Sequence, residues 1–209
     1  LKTAVSILVG LYFFLSFFRP VEIEDVWWHL SVGRWIVENG QVPHTDPFSP
    51  TSPPSPWTFT QWLGSTFFYV VYWFTGLTGL KTLRALIFLA SAGIFFWYAR
   101  KKAPLFVILI LLIFLGDGLN ARCLVRPFIF NFIFIQIFLI TLLDYYRDPR
   151  FKKLWALPLL GILWGNIHLG SFVYGVMLIT VFGCSALIKS TQREYLLRGK
   201  ELFFMLGAY

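Results

Sequence analysis

Residues 60–76 read TQWLGSTFFYVVYWFTG, and whether this run crosses a membrane decides the topology of everything around it. It is apolar, but it is short and aromatic, follows a proline-rich stretch and closes on Thr75-Gly76. Those traits suit a helix lying in a membrane interface better than one that spans. If the run crosses, the preceding loop (19–59) shares a face with the basic loops later in the chain. If it lies flat, that loop faces the other way. Counting Lys and Arg does not decide: the first arrangement puts 13 of the 18 on the basic side, the second 12. The loop's five acids (Glu22, Glu24, Asp25, Glu38, Asp46) against two bases favour the second arrangement, although acids carry little topological weight. The expected arrangement is therefore an external region from about 19 to 81.

Outward from this run the chain is apolar almost throughout. Of its 209 residues, 57% are hydrophobic and 20% aromatic, with a mean hydropathy of +0.69, more apolar surface than a soluble domain can hide. Apolar runs fall at roughly 3–18, 60–76, 82–99, 104–117, 127–143, 154–168, 171–188 and 201–209. Several are shorter than the ~20 residues that comfortably span a bilayer. Between them lie three tight basic clusters, Arg100-Lys101-Lys102, Arg147 to Lys153 and Lys189 to Lys200, which the positive-inside rule assigns to one cytoplasmic face. The net charge of +8 lies in these short loops, which excludes a nucleic-acid surface. The two cysteines, Cys123 and Cys184, fall in different segments and have no metal-ligand spacing. Residues 3–18 lack a small-residue cleavage site and read as a retained helix. The chain starts at Leu1 and stops inside an apolar run, as a piece of a longer protein would. The expected fold is an all-α, polytopic transmembrane helix bundle: one module over 1–209, with a large external first loop carrying juxtamembrane helices (19–81) and helical hairpins after it (82–209).

Polar residues beside lipid are the candidates for chemistry, because they are expensive there. Asp25 to Asn39 reads as a helix, with Asp25 as its cap and Asn39-Gly40 as its end. Its apolar stripe is Trp28, Val32, Trp35 and Ile36, with Ser31, Arg34 and Glu38 opposite. Asp25 and His29, spaced i, i+4, can share a face, and a partly desolvated carboxylate there suits a general base. Asp25 as a simple cap is the competing reading, at even odds. His44 and Asp46 form a second polar group; Asp46 before Pro47 is a common turn, and structure outweighs chemistry by two to one. Gln61 either hydrogen-bonds a ligand or faces water. Arg122 and Arg126, the latter just before Pro127, make a phosphate site by the match of guanidinium to phosphate oxygens; the alternative is interfacial snorkelling. His168, in Trp164-Gly165-Asn166-Ile167-His168, either lines a polar cavity or satisfies its own turn.

The stretch Asp25-Val26-Trp27-Trp28-His29-Leu30, with Gly33, Trp35-Ile36, Gly40, Pro43, Thr45-Asp46-Pro47-Phe48-Ser49, Trp57 and Gln61-Trp62-Leu63, resembles a group of bacterial membrane proteins. That group is usually placed in the C-type (GT-C) polytopic glycosyltransferase superfamily. Arg126-Pro127-Phe128 and Trp164 to Gly170 resemble it in the same order, so the likeness runs from the first helix to about residue 175. The resemblance implies an acid after the first helix that serves as base or metal-linked carboxylate, matched by Asp25. It also implies an external arginine on the donor's phosphate, matched by Arg126, and juxtamembrane helices at 25–39 and 60–76. Many members carry two adjacent acids or Asp-X-Asp. Here Glu24-Asp25 is followed by Val and two Trp, so a divalent metal is not favoured and no cofactor is expected. Some members have Glu where Gln61 stands.

The function expected from these readings is transfer of a sugar from a polyprenyl-phosphate-type lipid to an acceptor at the external face. Asp25 would be the base, His29 would orient it or the acceptor, and Arg126 would hold phosphate, with Arg122, His168, His44, Asp46 and Gln61 lining the same side. The partners implied are membrane lipids and a lipid-linked sugar, and the location a bacterial inner membrane. The alternative is a non-catalytic scaffold or accessory subunit of a larger membrane complex. A lipid-linked-sugar transporter is disfavoured, since transporters carry polar residues on broken helices near the midplane.

Overall fold

The structure, a computed structural model, describes residues 2–21, 24–50, 56–120, 123–188 and 193–209. Among them the only secondary structure besides an isolated Thr45/Pro56 bridge is helical. The α-helices are α1 (Lys2–Phe17), α2 (Glu24–Asn39), α3 (Trp62–Ala99), α4 (Leu105–Asn120), α5 (Asn131–Arg147), α6 (Ala156–Ile188) and α7 (Arg193–Ala208). Three stretches are long and apolar enough to cross a membrane: Trp62–Ala99, Pro127–Arg147 and Phe151–Ile188. The protein is thus an all-α bundle with the build of an integral membrane protein. Its chain divides into two compact units, Leu1–Phe130 and Asn131–Tyr209.

In the first unit, α3 is two helices meeting at Gly76, whose backbone stands at φ 61°, ψ −157°, a region essentially restricted to glycine. The chain folds back there. A Cβ on Gly79 would lie 3.4 Å from Val71 Cγ1, although eight residues of straight helix would separate the two by about 12 Å. The arm before Gly76 (62–75) is about 21 Å long and the arm after it (77–99) about 35 Å, so only the second matches a ~30 Å hydrocarbon core. This accounts for the two separate apolar runs in the sequence. The first arm packs against α2: Trp27 meets Tyr72 edge-on at 6.4 Å, and Gly33 lies so close to Ser65 and Tyr69 that a Cβ there would fall 2.7 Å from Tyr69 Cβ. The pairing of 27 with 72 and 33 with 65–69 makes the two helices antiparallel. The second arm packs on α1, with Phe17 and Phe88 stacked at 4.0 Å. Between α1 and α4, Tyr12 Oη donates to Asp117 Oδ1 at 2.5 Å.

The face of α2 that is buried differs from the expected stripe. Val32 and Ile36 are buried as read, but Val26, His29 and Leu30 join them, while Trp28 remains 43% exposed. The reason is the α3 arm, which covers the His29–Gly33 side; Trp28 is left to hold the following loop through Phe48 (5.5 Å) and Trp57 (5.6 Å). That loop is correspondingly less irregular than its prolines imply. Trp57 N donates to His44 O at 2.7 Å, and Gly40, at φ 66°, ends α2 with its N–H on Ile36 O at 2.8 Å.

In the second unit, α6 is likewise interrupted, at His168 (φ −157°, ψ 88°). Gly161 and Gly175 both lie against the Tyr209 ring. Fourteen residues of straight helix, about 21 Å, could not reach one ring from both ends, so α6 is a helical hairpin. Tyr209, just past α7, also stacks on Phe172 at 4.1 Å and meets Phe138 edge-on at 5.3 Å.

Candidate functional site

Asp25 lies in the first turn of α2, one residue inside its start at Glu24, where a carboxylate is favoured by the helix dipole. Its side chain reaches another part of the unit: Arg126 Nη2 is 2.7 Å from Asp25 Oδ2, with the two side chains 40% and 51% exposed respectively. Beside its place at the start of the helix, Asp25 thus forms an ion pair with Arg126, the residue singled out as phosphate binder. Among the described residues Arg126 Nε is buried without a hydrogen-bond partner.

The turn carrying Arg126 is held from beneath by a second arginine. Arg84, on the long arm of α3 and 4% exposed, donates through Nε to Phe17 O (2.8 Å), through Nη1 to Cys123 O (3.2 Å) and through Nη2 to Arg19 O. It thereby ties the end of α1 to the strap leading into Arg126. Arg19 Nη2 adds a contact of 3.0 Å to Cys123 Sγ. From Arg126 the chain enters a short 3-10 helix, Pro127–Phe130, whose Phe130 packs on Phe67 and Phe68 of the α3 arm.

The other expected site residues are distributed as follows. His29 is buried at 6% exposure, and its Nδ1 lies 2.8 Å from Ser65 Oγ, a polar tie inside the α2–α3 contact. Asp46 is engaged within its own turn: Oδ1 accepts from Phe48 N (2.9 Å) and Oδ2 from Ser49 Oγ. The Ser49 hydroxyl first, then the Phe48 N–H, hold its carboxyl below the ordinary range. His44 is exposed beside this turn. Gln61 precedes α3 and accepts the Ser65 N–H through its carbonyl at 3.0 Å. Arg122 lies outside the described residues, as does Glu22. Among the described residues no group of three His, Cys, Asp or Glu side chains is placed to hold a metal ion.

His168 belongs to the second unit, in a polar chain of its own. Trp164 Nε1 donates to Asn131 Oδ1 (2.6 Å), Asn131 Nδ2 donates to Ser171 Oγ (2.6 Å), and Ser171 Oγ meets His168 Nδ1 (2.6 Å). Trp164, Asn131 and Ser171 are all buried. The chain closes the bend of the α6 hairpin onto α5.

Arg84 and Asn131 are the residues that the sequence reading passed over. Both had a signal: Arg84 is the lone charge of the run 82–99, and Asn131 is one of two amides, with Gln136, in the run 127–143, where such residues must find partners. Crevices in the first unit lie beside these elements. One, about 170 Å³ and apolar, lies among α1, the long α3 arm and α4, with Gly10, Phe13, Leu89 and Leu112 in its wall. Another, about 490 Å³, lies between α2 and the short α3 arm. In comparisons with known proteins, no family model, no curated protein and no solved structure matches this chain.

Proposed function

We propose that this protein transfers a sugar from a polyprenyl-phosphate-type lipid to an acceptor at the outer face of a bacterial inner membrane, with Asp25 and Arg126 as the reacting pair. The observation that carries this reading is the 2.7 Å, half-exposed Asp25–Arg126 contact: a carboxylate and a guanidinium, the groups such a transfer needs as base and phosphate binder, meet in one place. In the step, Asp25 takes the proton of an acceptor hydroxyl or amide as that atom bonds to the anomeric carbon. The bond from that carbon to the lipid phosphate oxygen breaks, and the phosphate leaves with its charge on Arg126. Placing the guanidinium where negative charge develops is the kind of electrostatic help that dominates many enzymes.

Two further observations support the arrangement. Arg84 holds the Arg126 turn through backbone carbonyls, which pre-organises it. The apolar crevice beside α1 and α4 offers a place for a prenyl tail while the headgroup stays outside. The outward orientation rests on the basic clusters at 100–102, 147–153 and 189–200, which belong inside.

The alternative is an accessory subunit in which the same ion pair only fastens α2 to the 123–126 strap. The full-length protein, reconstituted in nanodiscs and given synthetic farnesyl-phosphate sugars, separates the two. Transfer that vanishes in Asp25→Asn and Arg126→Ala while melting is unchanged supports catalysis; transfer at wild-type level in Asp25→Asn ends the proposal.

A further inference from the structure

The 490 Å³ crevice between α2 and the short arm of α3 is lined by Trp27, Leu30, Ser31, Arg34, Tyr69, Tyr72, Trp73 and Gly76. Its size is that of a ligand site, for which ~300–1,000 Å³ is usual. It lies on the side of α2 away from Asp25. Trp27 follows Asp25 by two residues, about 200° around the helix, and Arg34 lies a further two turns along the same side as Trp27.

The two ends of the crevice differ in chemistry. At one end Trp27 and Tyr72 meet at 6.4 Å with their rings nearly perpendicular (87°), which makes a corner of two aromatic walls. Trp73, 65% exposed, adds a third ring beside it. The antiparallel register puts Arg34 and Tyr69 at the other end. Arg34 Nε is paired with Glu38 Oε1 at 2.7 Å, which leaves the terminal nitrogens to face the crevice. The ends are about 10 Å apart, the rise of seven residues from Trp27 to Arg34.

An aromatic corner attracts an ammonium through the ring quadrupole, and a guanidinium pairs with phosphate. The two placed at opposite ends of one crevice about 10 Å long, flanked by exposed indoles of the sort that gather at the membrane surface, match one kind of molecule that any membrane supplies. From this juxtaposition we infer that the crevice binds the headgroup of a zwitterionic phospholipid, phosphate at Arg34 and ammonium against Trp27, Tyr72 and Trp73. A purely anionic lipid would use the Arg34 end and leave the aromatic corner empty. A purely cationic ligand would face Arg34 unfavourably. The site is separate from the Asp25–Arg126 pair and does not depend on sugar transfer.

The test is lipid retention by the full-length protein. Delipidated protein in detergent is mixed with equal amounts of phosphatidylethanolamine, phosphatidylcholine and phosphatidylglycerol of identical chains, and bound lipid is read by native mass spectrometry. The expected result is at least a fivefold preference for the two zwitterionic lipids. Trp73→Ala should abolish that preference, and Arg34→Gln should lower total retention at least fivefold. Both side chains are exposed, so melting should not move, and Arg34→Lys, which keeps the charge, should recover part of the retention. Glycerophosphoethanolamine in excess should compete the lipid away, because recognition lies in the headgroup. Equal or greater retention of phosphatidylglycerol, or an unchanged pattern in Trp73→Ala and Arg34→Gln, would overturn the inference. Asp25→Asn should retain lipid like the wild type whatever it does to transfer.

Discussion

Two polar regions of this protein, one in each unit, are built on opposite plans. In the first unit an acid and a guanidinium meet through one 2.7 Å bond and remain about half exposed. In the second, four side chains form three 2.6 Å bonds, with Trp164, Asn131 and Ser171 shut away from solvent. A half-exposed ion pair contributes only ~0–1 kcal/mol, so it can open and exchange partners cheaply. A buried donor or acceptor stripped of its partner costs ~1–3 kcal/mol, so the second region resists rearrangement. The first plan suits a site that takes and releases charge; the second suits a hinge that must hold still.

The sharpest break of this contrast is at Asp25. If the pair is chemical, Asp25→Asn lowers transfer by roughly 10²–10⁴-fold, while unfolding stability changes by no more than the ~1 kcal/mol of an exposed pair. Transfer rates in nanodiscs and thermal melts of the same preparation give both quantities. Activity and stability falling together would erase the distinction between the two regions and leave the ion pair as a fastening.

The reverse pattern is expected at Asn131. Asn131→Ala removes the acceptor for Trp164 Nε1 and the donor to Ser171, and should destabilise the protein by about 1–3 kcal/mol for each group left unpaired. Transfer per folded molecule should stay at the wild-type level. A large loss of transfer with little loss of stability would move the chemistry, or part of it, to the His168 region.

A smaller effect separates backbone from side-chain control of the two fold-backs. Gly76 has open space where a Cβ would go, so Gly76→Ala should cost only the strain of its backbone conformation, about 1–3 kcal/mol, read as a lowered melting temperature. At His168 the extended backbone is one that any residue adopts. There the bend depends on side-chain bonds, and His168→Ala should lose the Ser171 contact without added backbone strain.

Much of the fold could be read from the chain because lipid imposes simple rules. The apolar runs at 60–76 and 82–99 are the two arms of α3, and Thr75-Gly76 marks the joint because only glycine enters that conformation cheaply. Asn39-Gly40 ends α2 for the same reason. What periodicity could not supply is partner choice. The spacing of Asp25 and His29 permits their contact, but the α3 arm seats itself through Gly33, and that register brings Ser65 to His29. Arg126 could be recognised as a charge beside lipid, but its pairing with Asp25 joins residues a hundred positions apart and needs Arg84 to fix the strap. Arg84 itself was visible as a lone cation in an apolar run, and the backbone carbonyls it gathers were not.

The smallest expected effect concerns Asp46, another acid of the first loop, and it sharpens the contrast by showing what a purely structural carboxylate does. Asp46 accepts from Ser49 and Phe48 within its own turn, which lowers its pKa in the folded protein. A lowered folded pKa contributes stability that is present above the unfolded value of ~3.9 and lost as pH falls through the folded value. Asp46→Asn should therefore reduce the melting temperature slightly at pH 7, and the gap from wild type should narrow as pH drops below about 4. Asp148, held low in the second unit by Lys153 and Arg150, is common to both proteins and cancels from the difference. A gap that persists undiminished at low pH would mean that the turn depends on the side chain's shape and not on its charge. Transfer should be the same in both proteins throughout, because both oxygens of Asp46 already have partners inside the turn, whereas Asp25 meets its partner from another element and half in water.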